Sequence, residues 1–298
     1  MAEGSSGDVA VVIAAYNHAR FLPAAIESAL GQTHPPAELV VVDDGSTDGT
    51  GEVAARYAPR VRCLRQDNAG ARAARNAGLD ATRSPWVAFL DADDWWDRDA
   101  LGRLLASFDG ETGIAAPAYR PVDAQGTPTG PLWTKRTPGP FMTTEGLLTR
   151  DADVPGCVYR RDVFDRCGRF DPALRVAGDY EMFLRASTRF RIRFVPEAIL
   201  FKRQHGANLS AATIPRLTAH LACIRAFIAR EPQWVAAHPA AARRGEAKAL
   251  ERLARAQARE GSKEAAATAR TALGLTPLRP KLWWLALSPR SYARFSPR

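Results

Sequence analysis

The sequence predicts an α/β fold with a mixed, mostly parallel sheet, and three observations support this. Apolar strand-like segments alternate with helix-like segments four times within about the first 100 residues. Such alternation is typical of parallel strands joined by right-handed helical crossovers. Polar residues follow the first, second and fourth of these strands, so their loops should meet in one crevice at the carboxyl edge of the sheet. Beyond about residue 211 the pattern changes to amphipathic helices, which predicts an α-helical extension.

Apolar runs predict the strands, and apolar residues three or four positions apart predict the helices. In the first 107 residues the strands are 9–15, 39–42, 61–65 and 86–91, and the helices are 21–30, 46–57, 71–81 and one from about residue 98.

The middle of the chain is less regular, with a Pro- and Gly-rich stretch at 121–139 that we interpret as a long surface loop. The remaining predicted strands are 113–119, 154–160, 192–196 and 199–202, and the remaining predicted helices lie around 163–164 and at 178–187, 211–228, 240–260 and 262–273.

The net charge of +9 is unevenly distributed. Residues 213–298 hold 16 Lys or Arg and 5 Asp or Glu, whereas residues 1–212 hold 25 and 27. A strongly basic third of this kind suits an anionic partner, either a membrane surface or a nucleic acid. No stretch is long and apolar enough to span a membrane, no secretory signal begins the sequence, and the four cysteines are scattered. We therefore expect a cytoplasmic protein with reduced thiols.

Three aspartates, Asp91, Asp93 and Asp94, directly follow the apolar strand 86–91. Unpaired carboxylates are too costly to bury, so these should emerge at the carboxyl end of the strand. Their crowding favours a hard divalent cation, Mg²⁺ or Mn²⁺, which takes carboxylates together with phosphate oxygens of a substrate. The alternative is a solvated acidic loop that caps the next helix.

Five motifs in this order make the chain similar to a known enzyme family. They are Val-Val-Ile-Ala-Ala-Tyr16-Asn17, Val-Val-Asp43-Asp44-Gly-Ser-Thr-Asp48-Gly-Thr, Asn68-x-Gly70-x-x-x-Ala74-Arg75-Asn76-x-Gly78, Leu-Asp91-Ala-Asp93-Asp94 and Gly178-Asp179-Tyr-Glu. With them the chain resembles the family 2 glycosyltransferases, which are inverting, nucleotide-sugar-dependent enzymes of the GT-A fold. The resemblance divides the chain into a GT-A domain at 1–210, a helical region at 211–275 and a basic, Trp-containing tail at 276–298. Within the domain, 8–107 would be the nucleotide-binding half and 108–210 the acceptor-binding half.

The resemblance implies contacts with the nucleotide at the ends of the first two strands. Ala14 and Tyr16 would touch the nucleobase. Asp44 would accept a hydrogen bond from the imide N–H of uracil or thymine, with Asp43 as the alternative. Arg75 would reach the base or the phosphates, unless it is a solvated helix residue.

The resemblance also implies the metal ligands. Asp91 would contact the ribose and help to place the metal, Asp93 would bind it directly, and Asp94 would support them. His205 lies where relatives often have a histidine near the metal, and an imidazole ligand suits Mn²⁺ better than Mg²⁺. A solvated loop histidine is the alternative.

Asp179 is the implied catalytic base, because a carboxylate near an acceptor hydroxyl can take its proton. Its alternative role is that of a helix cap. Many relatives have an acidic residue just before this aspartate, whereas this chain has Gly178. That departure leaves Glu181 open as a second candidate.

The implied activity is transfer of a sugar from a nucleoside-diphosphate sugar, UDP-linked by expectation, to a hydroxyl of a glycan or lipid-linked acceptor in surface polysaccharide assembly. Two alternatives are a sugar nucleotidyltransferase and an inactive GT-A-like module that binds nucleic acid. A sugar nucleotidyltransferase would need a Gly-rich, basic loop after the first strand, and this chain has no such loop there. For the tail we expect contact with an anionic membrane, or else packing on the catalytic domain or on a second subunit.

Overall fold

The computed structural model describes residues 9–134, 139–150, 154–204 and 213–295, and these form one sheet flanked by helices. The strands are β1 (Val9–Ala15), β2 (Glu38–Asp43), β3 (Arg62–Arg65), β4 (Trp86–Asp91), β5 (Trp95–Trp96), β6 (Thr112–Val122), β7 (Val158–Arg160) and β8 (Arg191–Arg203). Their order across the sheet is β3-β2-β1-β4-β7-β6-β8-β5.

The first four strands are parallel, as the sequence predicts. The register pairs Ala14 of β1 with Asp91 of β4 on one side, and Ala15 with Asp43 of β2 on the other. Parallel strands in this register end side by side. The polar residues after β1, β2 and β4 are therefore brought to one edge of the sheet.

The second half of the sheet is mixed. β7 is antiparallel to both β4 and β6, whereas β6 and β8 are parallel. The two strands predicted at 192–196 and 199–202 are one strand, β8, with irregular register opposite Pro117 and Ala118 of β6. The short strand β5 pairs with the end of β8 through Leu200 and Phe201. The end of β8 is thereby held beside the turn that follows β4.

Helices cover both faces of the sheet and form the carboxyl-terminal part of the described chain. They are α1 (Leu22–Leu30), α2 (Thr50–Ala55), α3 (Ala71–Asp80), α4 (Ala100–Ala106), α5 (Thr144–Thr149), α6 (Asp162–Cys167), α7 (Gly178–Ala186), α8 (Thr213–Arg230), α9 (Pro232–Ala237), α10 (Pro239–Arg259), α11 (Ala265–Leu275), α12 (Pro280–Leu287) and α13 (Pro289–Phe295).

Helix α3 lies unusually close to the sheet because of one glycine. A Cβ atom added at Gly78 would overlap with Cγ1 of Val12 in β1. A larger residue would therefore push α3 away from the strand. This close contact fixes the position of the arginines on the preceding turns of α3.

The carboxyl-terminal helices share their core with the sheet. Phe183 of α7 lies in the same buried apolar cluster as Ile224 and Phe227 of α8. An ion-pair network reinforces the contact, because Glu181 of α7 lies 2.7 Å from Arg185 and 3.2 Å from Arg230 of α8. The boundary predicted at residue 210 stays a prediction, since it lies outside the described residues.

The predicted tail forms two short helices, α12 and α13. Leu282 and Leu285 of α12 are buried, and Arg279 forms an ion pair with Glu251 of α10. The opposite face of α12 is exposed, with Trp283 at 51% and Leu287 at 80% of their full accessibility. None of the helices in the described ranges combines the length and the apolar character that a membrane span requires.

Candidate active site

The loops after β1 and β2 are bound to each other at the carboxyl edge of the sheet. The backbone N–H of Asn17 donates to Oγ of Ser46 at 2.9 Å, and Oδ1 of Asn17 accepts from the N–H of Thr47 at 2.9 Å. Asn17 has a φ of +55°, a left-handed conformation that asparagine tolerates better than most residues. These bonds fix the floor of the crevice.

Both aspartates at the end of β2 are buried and hold neighbouring loops. Asp43 accepts a hydrogen bond from Arg65 at 2.6 Å. Asp44 accepts from the backbone N–H groups of Ala69 at 2.9 Å and Gly70 at 2.8 Å, and from Gln66 at 2.7 Å. A carboxylate has about four acceptor positions, so Asp44 keeps about one for a ligand. Its contact with a nucleobase stays a prediction.

The other predicted nucleobase residues lie at the same edge. Ala14 is partly exposed and lies opposite Asp91 in the register of β1 and β4. Tyr16 follows the strand and is 45% exposed. The structure thus brings Ala14, Tyr16, Asp44 and Asp91 to one crevice, and their contacts with a nucleotide remain predictions.

Arg75 is the centre of the site. Its Nη2 donates to Oδ1 of Asp91 at 2.5 Å, and its Nη1 donates to Oδ1 of Asp179 at 2.6 Å. The side chain is only 3% exposed, and its guanidinium lies over the rings of Phe89 and Phe170 at 5.9 and 5.7 Å. Arg75 is therefore not a solvated helix residue but a buried bridge between two carboxylates.

The two carboxylates decide the charge of Arg75. Burial alone would lower the pKa of this guanidinium, but the nearby Asp179 and Asp91 outweigh burial and raise the pKa. Burial likewise acts to raise the pKa of Asp91, yet Arg75 and Lys202 hold it below its usual range. Asp91 and Arg75 are therefore both charged at neutral pH.

The predicted metal ligands form a compact triad. One carboxylate oxygen from each of Asp91, Asp93 and Asp94 lies within 4.8 Å of the others. Burial, together with the charges of Asp93 and Asp91, raises the pKa of Asp94 well above its usual value. Oδ2 of Asp94 is buried, and no donor in the described ranges reaches it.

These features fit a bound divalent cation. A cation beside the triad would offset the repulsion between the carboxylates and would give the buried oxygen of Asp94 a partner. The donor set consists of carboxylate oxygens, which Mg²⁺ and Mn²⁺ prefer.

Arg203, at the end of β8, holds the triad in place and was not predicted from the sequence. Its backbone N–H donates to Oδ1 of Asp94 at 2.8 Å, and its Nε donates to the carbonyl of Asp93 at 2.9 Å. The guanidinium lies over the rings of Phe21 and Trp95 at 4.7 and 4.6 Å. Arg203 ends a strand, and no neighbouring residue in the sequence indicates that it contacts Asp94, which lies 109 positions earlier.

A histidine from an unexpected loop lies beside the triad. Nε2 of His18 is 4.0 Å from Oδ2 of Asp93. His18 directly follows the first motif, and this position near the end of β1 was the only feature of the sequence that could have indicated a place beside the triad. The predicted metal ligand His205 lies outside the described residues, so its role stays a prediction.

Asp179 and Glu181 point in different directions. Residues two apart on a helix are separated by about 200° around its axis. Asp179 faces Arg75 and is 14% exposed, and its Oδ2 accepts no hydrogen bond from the described part of the chain. Glu181 faces Arg185 and Arg230 on the far side of α7. This arrangement favours Asp179 over Glu181 as a base, and the assignment itself remains a prediction.

Sequence comparisons identify related proteins. A family model described as glycosyl transferase family 2 matches residues 10–168. An uncharacterized glycosyltransferase of Nostoc sp. is 33% identical over 220 residues, which cover 69% of this chain and 68% of that protein. The succinoglycan biosynthesis protein ExoO of Rhizobium meliloti is 34% identical over 240 residues, covering 75% of this chain and 68% of that protein.

Structural comparisons show the same architecture in enzymes with bound donors. S. aureus TarS 1-349 in complex with UDP-GlcNAc has a TM-score of 0.71 and 18% identity, with 96% of this chain and 89% of that chain covered. The mannosyltransferase PcManGT from Pyrobaculum calidifontis, in complex with GDP-Man and Mn²⁺, has a TM-score of 0.59 and 20% identity over 96% and 86% of the two chains. At these identities the likeness shows the fold alone.

The burial of Arg75 predicts a large effect on stability. Arg75→Met should lower the free energy of unfolding by about 3–5 kcal/mol at pH 7, because two carboxylates lose their shared counter-charge. The pKa of Asp91 is lower in the folded than in the unfolded protein. The free energy that the ionised Asp91 contributes to folding is therefore fully present above its unfolded-state pKa and is lost as the pH falls. The difference between the two proteins should therefore narrow as the pH falls below about 4. Urea denaturation at several pH values measures both effects.

Arg191→Met is the matched control. Arg191 lies 2.6 Å from Glu111, but the two side chains are 53% and 67% exposed. Its loss should change the stability by less than about 1 kcal/mol. Equal effects of the two substitutions would contradict the central role of Arg75.

Proposed function

The chain belongs to glycosyl transferase family 2 and has the GT-A fold, and on this premise we propose that it is a metal-dependent, inverting glycosyltransferase. It moves a sugar from a nucleoside-diphosphate sugar, UDP-linked in our proposal, to a hydroxyl of a glycan or lipid-linked acceptor. The relatives support the substrate class, since one is a succinoglycan biosynthesis protein and one structural neighbour binds UDP-GlcNAc. Assembly of a bacterial surface polysaccharide is the process that we infer.

The observation that carries this proposal is the bridge from Asp179 through Arg75 to Asp91. It places a carboxylate with an open oxygen beside the carboxylate triad. A glycosyl transfer needs both elements together, one for the leaving diphosphate and one for the attacking hydroxyl. An isolated acidic loop that caps a helix would need neither.

Asp93 and Asp91 would hold the divalent cation, Mn²⁺ or Mg²⁺, with Asp94 beside them and His205 as a further proposed ligand. When bound, such a cation stabilises the negative charge that develops on the departing nucleoside diphosphate. Ala14, Tyr16 and Asp44 line the neighbouring crevice, where we place the nucleobase.

Asp179 takes the proton of the acceptor hydroxyl in this proposal. Oδ1 of Asp179 is fixed by Arg75, whereas Oδ2 accepts no hydrogen bond from the described part of the chain and is the oxygen that would take the proton. As the proton moves to Asp179, the acceptor oxygen attacks the anomeric carbon from the face opposite the leaving group. One displacement of this kind inverts the anomeric configuration.

We also propose that the tail meets the inner face of the cell membrane through α12. Trp283, Trp284 and Leu287 share one exposed face of this helix, and Leu278 just before it is 95% exposed. Lys281 is exposed on the same short helix, so apolar and basic groups lie together as in interfacial helices. Anionic lipid is the partner that suits both kinds of group.

A test of the metal site uses Asp93→Asn. Removing this ligand should weaken Mn²⁺-dependent binding of UDP at least about ten-fold, measured by titration calorimetry. The exposed Asp165→Asn is the control and should bind as the wild type does. Equal binding by wild type and Asp93→Asn would contradict the metal assignment. Absence of nucleotide binding together with salt-sensitive DNA binding would favour the alternative of a nucleic-acid module.

A test of the base uses Asp179→Asn, which keeps an oxygen for Arg75 but cannot accept the proton. Transfer should slow by about 10²–10⁴-fold, while Mn²⁺-dependent UDP binding is retained. The assay follows release of UDP from UDP-sugars and anomeric configuration of the product by NMR. Transfer at the wild-type rate, or a product with retained configuration, would refute this mechanism.

The membrane contact is tested with the double variant Trp283→Ser/Leu287→Ser. Both side chains point away from the buried face of α12, so the fold should persist, as circular dichroism would check. Burial of each contributes about 1.5–3 kcal/mol, so binding to vesicles rich in phosphatidylglycerol should weaken at least about 100-fold. Unchanged vesicle sedimentation would exclude this surface. Deleting the tail is a poorer test, because it would uncover Leu282 and Leu285 of the core.

A further inference from the structure

Arg72 stands one helical turn before Arg75 and on the same face of α3. Arg75 binds two carboxylates, but Arg72 forms neither a hydrogen bond nor an ion pair with any residue in the described ranges. Its Nε is nevertheless fully buried. Its two Nη atoms are not among the buried atoms, and they too lack a partner in the described ranges, so they are open to an acceptor group of a bound substrate.

Gly178 makes the position of Arg72 possible. A Cβ atom at residue 178 would overlap with Nε of Arg72 and would lie 2.7 Å from its Cζ. The guanidinium therefore fills the space that any side chain at this position would occupy. Because residue 178 directly precedes Asp179, the positive charge of Arg72 lies beside the proposed base.

The charges around Asp179 define what Arg72 can bind. The single charge of Arg75 is shared between Asp91 and Asp179, so these three groups together carry a net negative charge. An anionic sugar at Asp179 would be repelled without another cation, and Arg72 supplies it. Arg72 reaches the site from α3 in the nucleotide-binding half, and it lies beside Asp179 at the place of sugar transfer. Its partner is therefore the sugar of the donor, whereas the diphosphate belongs to the carboxylate triad.

We propose that Arg72 is a specificity-determining residue that binds a carboxylate on the donor sugar, so that the enzyme transfers a uronic acid. The inference rests on the proposed function and names its substrate class. The planar fork of a guanidinium matches a carboxylate with two parallel hydrogen bonds, whereas the hydroxymethyl group of a neutral hexose offers a single uncharged oxygen. Gly178 contributes by leaving the guanidinium room at this place.

The experiment compares donors that differ only at C6. The nucleotide is chosen first, as the nucleoside diphosphate that binds the wild type with Mn²⁺. The sugar pair is then UDP-glucuronate and UDP-glucose, or GDP-mannuronate and GDP-mannose. The wild type should bind the carboxylated donor about 10–100-fold more tightly, measured by titration calorimetry. Arg72→Gln should reduce this ratio to about one, whereas the exposed Arg56→Gln should retain the wild-type preference.

Gly178→Ala is an independent test, because it keeps Arg72 while the added methyl group pushes the guanidinium out of its place. It should also abolish the preference, with folding verified by circular dichroism. Metal-dependent nucleotide binding with no preference for the carboxylated donor would overturn the inference and leave the proposed function intact. A preference that survives Arg72→Gln would overturn it as well. Failure of every nucleoside diphosphate to bind would instead refute the proposed function.

Discussion

The site depends on one buried positive charge held between two negative ones. Arg75 comes from α3, Asp91 from the end of β4 and Asp179 from the first turn of α7, so a single guanidinium joins three elements of the fold. A lone charge at this depth would be strongly unfavourable, and both carboxylates are needed to compensate for its lost hydration. The contact of Gly78 with Val12 sets the height of α3 above the sheet, and hence the reach of this side chain. The packing of α3 on the sheet therefore determines whether Arg75 can reach both carboxylates at the crevice.

The first half of the fold is predictable from the sequence because its signals are local. Strands that are buried on both faces, such as Val9–Ala15 and Trp86–Asp91, are continuous apolar runs, and their predicted bounds match the structure. The second half is harder. Pro196 and Glu197 interrupt the apolar pattern of β8, so one strand with a bulge was predicted as two. The tail was predicted only as a basic, Trp-containing segment without assigned secondary structure, and prolines at the starts of α12 and α13 begin short helices there.

The site residues that stand together in short sequence motifs were predictable. The contacts between residues far apart in the sequence were not. The carboxylates of Asp91, Asp93 and Asp94 stand together in the sequence and also in space. By contrast, Arg75 and Asp179 are 104 positions apart, and Arg203 and Asp94 are 109 apart. The resemblance favours Asp179 as the base but leaves Glu181 open as a second candidate, and the direction of each side chain on α7 adds the physical reason to prefer Asp179. The unpaired state of Arg72 likewise becomes visible only when Gly178 is brought beside it.

The ion pairs of Glu181 have a consequence for protein engineering. Arg230 of α8 neutralises an acid on the helix that presents Asp179, and the two helices also share an apolar cluster. A chimaera that joined the sheet of this protein to the carboxyl-terminal helices of a homologue would leave Glu181 with Arg185 of its own helix alone, unless an arginine were grafted at the position of Arg230. Swapping modules to alter acceptor choice should therefore take α7 and α8 as one cassette, with its junctions placed outside both helices.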